Sequence, residues 1–495
     1  MQATLTQAHW YPTTRGKEDD PRGAIFFLLG LALVAALPAA AFQAQMLWLF
    51  VALAVAVAVM IEPLVGLYAG VAVIGLDTSG PNTAPLGDLF STIPVLKATP
   101  VELLLLWTTF AAYLRTAGKD HAANDRAVLV ALLIFLFLVL QAMLLGVSQG
   151  GSFTIALWEV RAMLCILPVM LMTNLLVRDR EGLRRLGIVL AVTLILMSVE
   201  AAWRYLTYIR PGSFDGVIEF TFGHETSVLV GVLLMGAACW ALWGPNRKQR
   251  LLALALIVAA GLVEITMRRR AGLIAAEAGI LAVGLMLFVK DYRRFLIIAP
   301  IFLLVSTAYL AVFWHNTKSF GEPARAFRSV IDSESSSERD RASDEYRRIE
   351  TLNIWSNIES APIEGIGFGV PYAKPHKFPN LSSFWPFWDY IPHNTILWLW
   401  MKAGVVTFLA FWFLLGSAIV RTVAICRMAN DRLVIAMAAA ITAFFPMMVL
   451  FSYVDLGLTN VRLMILSGIC FGLVGLMQRL ASTSEDKVSS EAGVM

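Results

Sequence analysis

Three adjacent arginines, Arg268, Arg269 and Arg270 in the stretch MRRRAG, and one histidine, His393 in PHNT, are the residues whose types suit a reaction chemistry. Arginine stays charged and grips phosphate oxygens in pairs, whereas histidine titrates near neutrality and can accept a proton. Such a set suits a transfer in which charge builds on a leaving phosphate while an acceptor hydroxyl loses its proton. The arginines fan around a helix end, and one carboxylate cannot serve all of them. Their plain alternative is to snorkel to lipid headgroups or to pair with Asp215, Glu219 and Glu264. His393 also has a plain alternative, bonding the orphan amides that open the next helix. Arg204, Arg210 and Arg462 are further cations on the same side, and His224 and His315 are reserve candidates for the base. His9 and His121 fall in polar segments on the other side, and His376 in a proline-rich loop.

The elements that position these residues are membrane helices. The chain has 495 residues, 58% of them hydrophobic and 15% charged, with a mean hydropathy of +0.71, which excludes a water-soluble domain of this length. Backbone groups in lipid must bond internally, and apolar runs of near 20 residues select helices over a barrel. The runs cover 24–41, 46–61, 63–77, 101–115, 127–147, 155–176, 185–206, 226–243, 251–267, 271–289, 295–314, 394–420, 433–453 and 461–480. They predict an all-α polytopic membrane protein of about fourteen transmembrane helices, in a range of about 12–14. The expected organisation is a cytoplasmic tail 1–23, helices one to eleven over 24–314, a large periplasmic loop 315–393 containing short helices, helices twelve to fourteen over 394–480, and a cytoplasmic tail 481–495. Cys165, Cys239, Cys426 and Cys470 sit inside apolar runs and read as packing residues. No internal repeat is legible.

Charge sets the expected orientation. Arg15, Lys17 and Arg22, then Arg115, Lys119 and Arg126, then Arg178, Arg180, Arg184 and Arg185, then Arg247, Lys248 and Arg250 fall on one side, continued by Lys290, Arg293 and Arg294 and by Arg421, Arg427 and Arg432. Positive loops stay in the cytoplasm, so both termini are expected there. Arginines kept on the opposite face work against this bias and call for an anionic partner at headgroup depth, such as a lipid phosphate or diphosphate.

The loop 315–393 carries nine Lys or Arg against eleven Asp or Glu, so it is close to neutral, unlike the cationic short loops. Its ESSSERDRASD part reads as flexible. An amphipathic helix is expected over 344–359, capped by Ser343, with Tyr346, Ile349, Leu352 or Trp355, and Ile358 on its apolar face and Arg347, Arg348 and Glu350 off it. GIGFGV follows, with Gly365, Gly367 and Gly369 permitting positive φ; it lacks the Lys and Ser/Thr of a phosphate loop. Trp385, Phe387, Trp388 and Tyr390 form an interfacial belt or a platform for sugar rings. Within the membrane, Glu159 and Arg161 read as members of structural ion pairs, and Lys402 as a second diphosphate contact or a partner for Glu277.

Several of these pieces occur in a known order: TMRRRAGLIA opening a helix, RRIETLNIWSNIESAPIEGIGFGV in the outer loop, and PHNTILWLWMKAG entering the next helix. Over about residues 200–420 the chain resembles the O-antigen ligase and O-antigen polymerase superfamily. FTFGHETSV is similar to the family's Gly-Asn-Pro-Asn-like turn, with His224 and Glu225 in place of the usual amide and proline. The resemblance implies a glycosyltransferase of the bacterial cytoplasmic membrane, active on its outer face, with a polyprenyl (undecaprenyl) diphosphate-linked glycan as donor and a hydroxyl of a glycan or lipid-linked molecule as acceptor. It implies no cofactor and no metal; a direct displacement of the diphosphate, by its mechanism, would be inverting. It assigns His393 as catalytic and Arg269 and Arg270 as diphosphate contacts, with Arg268 beside them and Arg210 as a further family arginine. Membrane lipid and polysaccharide-assembly proteins are the expected partners, and nucleic acid is not. A ligase, a polymerase extending the glycan and a protein oligosaccharyltransferase would share this donor site. A polysaccharide or lipid transporter and a non-catalytic scaffold are the readings from other classes; a transporter would line a route across the bilayer with charge on several helices.

Overall fold

A computed structural model describes residues 44–76, 88–93, 96–117, 125–209, 223–267, 269–316, 319–331, 338–383 and 385–492. Arg210, Arg268, Asp215 and Glu219, together with the expected first helix, lie outside the described residues. Two units separate at Gly66. The first contains α1 (Ala44–Ile61) and the opening of α2 (Pro63–Ile74). The second, from Leu67 on, contains α3 (Pro100–Thr116), α4 (Arg126–Ser148), α5 (Phe153–Leu164), α6 (Ile166–Leu176), α7 (Arg180–Arg204), α8 (His224–Trp243), α9 (Arg247–Met267), α10 (Arg270–Lys290) and α11 (Tyr292–Phe313). Its remaining helices are α12 (Glu322–Ile331), α13 (Glu338–Ser360), α14 (Thr395–Met428), α15 (Arg432–Val454) and α16 (Val461–Ala492).

The protein is an all-α polytopic membrane protein, with ten helical stretches long and apolar enough to span a bilayer among the described residues. The expected runs 46–61, 63–77 and 101–115 are helical but shorter, at 18, 12 and 17 residues for the whole helices. The run 155–176 breaks at Cys165 into α5 and α6. All the cysteines are buried and free.

In the second unit α15 packs against α10, α14 and α8, while α16 lies along α6. These helices bury apolar side chains on most faces, whereas α11 buries none and leaves its apolar surface to lipid. Aspartates at N-caps fix several helix starts: Asp125 accepts from Ala127 and Val128, Asp179 from Gly182, and Asp431 from Leu433. The same carboxylates hold cations, with Arg421 at 3.3 Å from Asp125 and Arg180 on Asp431. Lys290 donates to the carbonyls of Arg427 and Ala429 at 3.1 and 2.5 Å, and Arg432 to that of Pro245 at 2.9 Å. Cationic loops far apart in sequence therefore meet at one end of the bundle. Because α10 runs from Arg270 to Lys290 and α15 from Arg432 to Val454, Arg270 and Asp455 lie toward the other end.

The segment before α14 is ordered by α13. That helix starts six residues before the expected 344, so ERDRASD is helical rather than flexible and Ser343 lies within the helix instead of capping it. The face it turns inward holds Glu350, Asn353, Ile354, Asn357 and Ile358, while Leu352 and Trp355 are exposed, correcting the expected apolar face. Asn353 exchanges two hydrogen bonds with the backbone of His376, both 2.8 Å, and Asn357 does the same with Ala373 at 2.7 and 2.9 Å. The helix is packed on backbone, and amides serve backbone better than leucine does.

Candidate functional site

His393 sits immediately before Asn394, whose side chain accepts from Leu397 at 3.0 Å and caps α14. The cap is thus supplied by the neighbour, and the imidazole is not needed for the orphan amides. Instead His393 turns to Glu350 of α13. Its backbone N–H donates to Oε2 at 2.9 Å, and Nδ1 lies 3.2 and 3.3 Å from the two carboxylate oxygens. With Nδ1 facing a buried carboxylate, the proton of the neutral ring resides there and Nε2 keeps its lone pair. Burial opposes protonation of His393, but the hydrogen bond and charge of Glu350, helped by Asp455 and resisted by Arg347, outweigh it and hold the imidazole pKa above its ordinary value. The ring of Tyr346 stands edge-on to it at 5.7 Å.

The arginine turn between α9 and α10 faces the start of α8. Arg269 Nη1 is 2.6 Å from His224 Nε2, and His224 Nδ1 is 2.5 Å from Oδ2 of Asp455. Asp455 is buried at the end of α15; burial pushes its pKa up, yet the charge and contact of His224, and the charge of His393, bring it down to about 2. Thr395, two residues after His393, places its hydroxyl 3.0 and 3.1 Å from the carbonyls of Ser452 and Asp455, which seats the start of α14 against the end of α15. Asp455 therefore contacts His224 and feels the charge of His393, which lies two residues before Thr395. Arg270 pairs through both guanidinium nitrogens with Asp344 of α13, at 3.0 and 3.2 Å. Asp344 and Glu350 are six residues apart on that helix, a rise of about 9 Å, so a single helix ties Arg270 to His393.

Both α8 and α10 begin here, preceded by Gly223 and Arg269, neither of which has a side-chain oxygen with which to cap. Two helix N-termini and two guanidinium groups make this end of the bundle a favourable place for an anion. Residues 257–412 match a family model described as O-antigen ligase.

Over that third of its length the chain is similar to the O-antigen ligase family.

The matched stretch includes Arg269, Arg270, Asp344, Glu350 and His393, whereas His224 and Asp455 lie outside it. No curated protein matches the chain. The match supports a membrane function in glycan biosynthesis, with glycosyltransferase-like activity in general.

The other described cations of this side resolve into pairs. Arg204 is bonded to Glu200 at 2.6 Å, and the buried Arg462 contacts Glu225, Thr226 and the carbonyl of Ile74 at 3.3, 3.0 and 2.8 Å. Glu264 is buried, and neither of its carboxylate oxygens has a hydrogen-bond partner among the described residues. It therefore does not hydrogen-bond Arg269 or Arg270, one of the pairings open to them. Lys402 pairs with Glu159 and not with Glu277. It is fully buried, 3.1 Å from Glu159, and it also donates to the carbonyl of Val370. Glu159 in turn accepts from the Gly369 N–H at 2.5 Å, and Arg161 pairs with Glu102 at 2.8 Å. Gly365, Gly367 and Gly369 all have positive φ; a Cβ on Gly367 would stand 2.3 Å from the Gly146 backbone, so only glycine lets the loop enter the bundle. Gly404, at φ 77°, kinks α14 where the loop docks, with Ile366 and Gly367 donating to the carbonyls of Met401 and Lys402.

The aromatic stretch wraps toward His393. Trp388 donates to the Tyr346 hydroxyl at 2.8 Å, Phe378 lies between them at 4.8 and 5.4 Å, and Lys374 pairs with Asp389 at 2.6 Å while covering the Trp388 ring. Phe387 stacks on Trp158 at 3.7 Å.

Proposed function

We propose that the protein transfers a glycan from polyprenyl diphosphate to a hydroxyl acceptor on the outer face of the bacterial cytoplasmic membrane, acting as a ligase onto a lipid-anchored sugar. The observation that carries this reading is the chain of contacts from Arg269 through His224 to the buried Asp455, whose backbone carbonyl receives the hydroxyl of Thr395, two residues after His393. Arg269 and Arg270 hold the diphosphate and neutralise the charge that develops on the leaving oxygen. His393 Nε2 takes the acceptor proton, with Glu350 and Asp455 favouring the imidazolium that forms. The acceptor oxygen attacks the anomeric carbon from the side opposite the departing diphosphate, which inverts that centre and needs no metal. The wall of Tyr346, Phe378 and Trp388 beside His393 offers sugar rings a stacking surface. Arg268 and Arg210 join the donor site as further phosphate contacts.

Cationic loops gathered at the opposite end support an orientation with that end, and both termini, in the cytoplasm. The buried charges Lys402 and Arg161 sit in closed pairs with Glu159 and Glu102, which favours an enzyme over a transporter with a charged route. The test is reconstitution: purified protein, a polyprenyl-diphosphate glycan and a lipid-anchored sugar acceptor, with chelator present and no nucleotide sugar. The expected result is a glycan-acceptor product and free polyprenyl diphosphate. Chain extension of the donor instead would make the protein a polymerase, and movement of the donor across the bilayer without bond cleavage would refute the enzyme.

A further inference from the structure

Resting on that diphosphate reading, we propose that Asp344 is a specificity-determining residue: it covers the phosphate-gripping edge of Arg270 in the free protein and yields it to a diphosphate but not to the single phosphates of surrounding lipid headgroups. Nη1 and Nη2 of Arg270 donate to Asp344, one to each carboxylate oxygen, at 3.2 and 3.0 Å. A phosphate engages the same fork of donors in the same way, so a carboxylate held there takes a phosphate's place. Asp344 reaches across to α10 for this contact although Arg341, Arg347 and Arg348 stand three or four residues away on its own helix. Its neighbour Glu345 does the opposite and pairs along the helix with Arg348 at 2.7 Å.

The depth of Arg270 explains why the cover is needed. Both α9 and α10 are long and apolar enough to span a bilayer, and Arg270 opens α10 directly after the turn between them, so its guanidinium sits where headgroups lie. Phospholipid phosphates crowd that layer, and an arginine left open there would be held by the commonest anion. Arg270 is 20% exposed and Asp344 45%, so their pairing is a weak one, worth no more than about fivefold in an equilibrium. A headgroup diester has one phosphate, and gains at Arg270 about what it loses by displacing Asp344. A diphosphate has two, and once one of them is on Arg269 the other meets Arg270 as an intramolecular contact, which displaces the carboxylate. No covalent bond is made or broken. Asp344 is released to water, while Glu350, six residues further along α13, keeps its hold on His393.

The probe is a polyprenyl-diphosphate monosaccharide, and its Kd is measured on the full-length protein in maltoside micelles, which hold no phosphate, and in nanodiscs of phosphatidylglycerol. In micelles Asp344→Asn should bind the probe about two- to fivefold more tightly than wild type, because the competing charge is gone. In nanodiscs that advantage should vanish, because headgroup phosphate takes the place of the carboxylate. Asp344→Glu keeps the charge and should match wild type in both media. In an Arg270→Gln background the substitution of Asp344 should change nothing. Asp344→Asn that binds no better than wild type in micelles overturns the proposal, since the carboxylate would then be aligning Arg270 rather than covering it. An advantage that persists undiminished in nanodiscs, that appears equally in Asp344→Glu, or that survives in Arg270→Gln overturns it too. Any of these results with wild-type protein that binds the probe leaves the donor site standing; wild-type protein that binds it in neither medium overturns the donor site, and the role of Asp344 with it.

Discussion

His393→Ala is expected to lower glycan transfer by about 100- to 10,000-fold, the usual contribution of a positioned general base, while the protein remains in the membrane at its normal level. The side chain is partly exposed and does not cap α14, so its removal leaves the helix start intact. Glu350 supplies a second reading of the same chemistry. A base must be neutral to act, so wild-type rate should climb with pH through an inflection above the ordinary imidazole value of about 6.5, because the folded-state pKa is raised. In Glu350→Gln the causes that raise it are weakened and burial remains, so the inflection should move to lower pH while the plateau rate falls. Transfer by His393→Ala at wild-type rate, measured with purified enzyme, would remove the residue from the mechanism; an inflection that stays put in Glu350→Gln would break the pairing.

Lys402→Met should destabilise the protein by about 3–5 kcal/mol, because it strands a buried carboxylate. Glu159 and Lys402 are both fully buried, and together they receive the glycine loop through the Gly369 amide and the Val370 carbonyl. The neutral pair Glu159→Gln with Lys402→Met should recover most of that loss, since removing both charges costs far less than removing one. Thermal unfolding in detergent measures it. A single variant as stable as wild type would show that the pair contributes nothing to the docking of the loop.

Much of this architecture was legible in apolar run length. The run 127–147 is α4 at 126–148, and 271–289 is α10 at 270–290, because a lipid-facing helix must be apolar along its whole length. The break at Cys165 does carry a mark: Pro168, in the first turn of α6, has no N–H to donate to the carbonyl of Leu164, where α5 ends. Arg269, Arg270 and His393 were singled out by residue type and by their position against the charge bias. Their carboxylate partners were not. Glu350 was assigned to the solvent side of its helix on the premise that apolar residues face inward, a premise that fails where the helix packs on backbone carbonyls and amides. Asp344 fell at the edge of a stretch read as flexible. Asp455 left a fainter signal, an acidic residue between two apolar runs on the side where the arginines lie. His224 is legible in the sequence only as a reserve histidine on the outer side, and only the fold brings it to Arg269.

Transfer by this route requires one diphosphate to lie between the arginine turn and His393. A structure of the protein in nanodiscs with a non-transferable polyprenyl-diphosphate sugar bound tests this directly. The predicted result has phosphate oxygens within hydrogen-bond distance of Arg269 and Arg270 and the anomeric carbon turned toward His393. A diphosphate seated at the opposite end, among Lys290, Arg427 and Arg432, would contradict it.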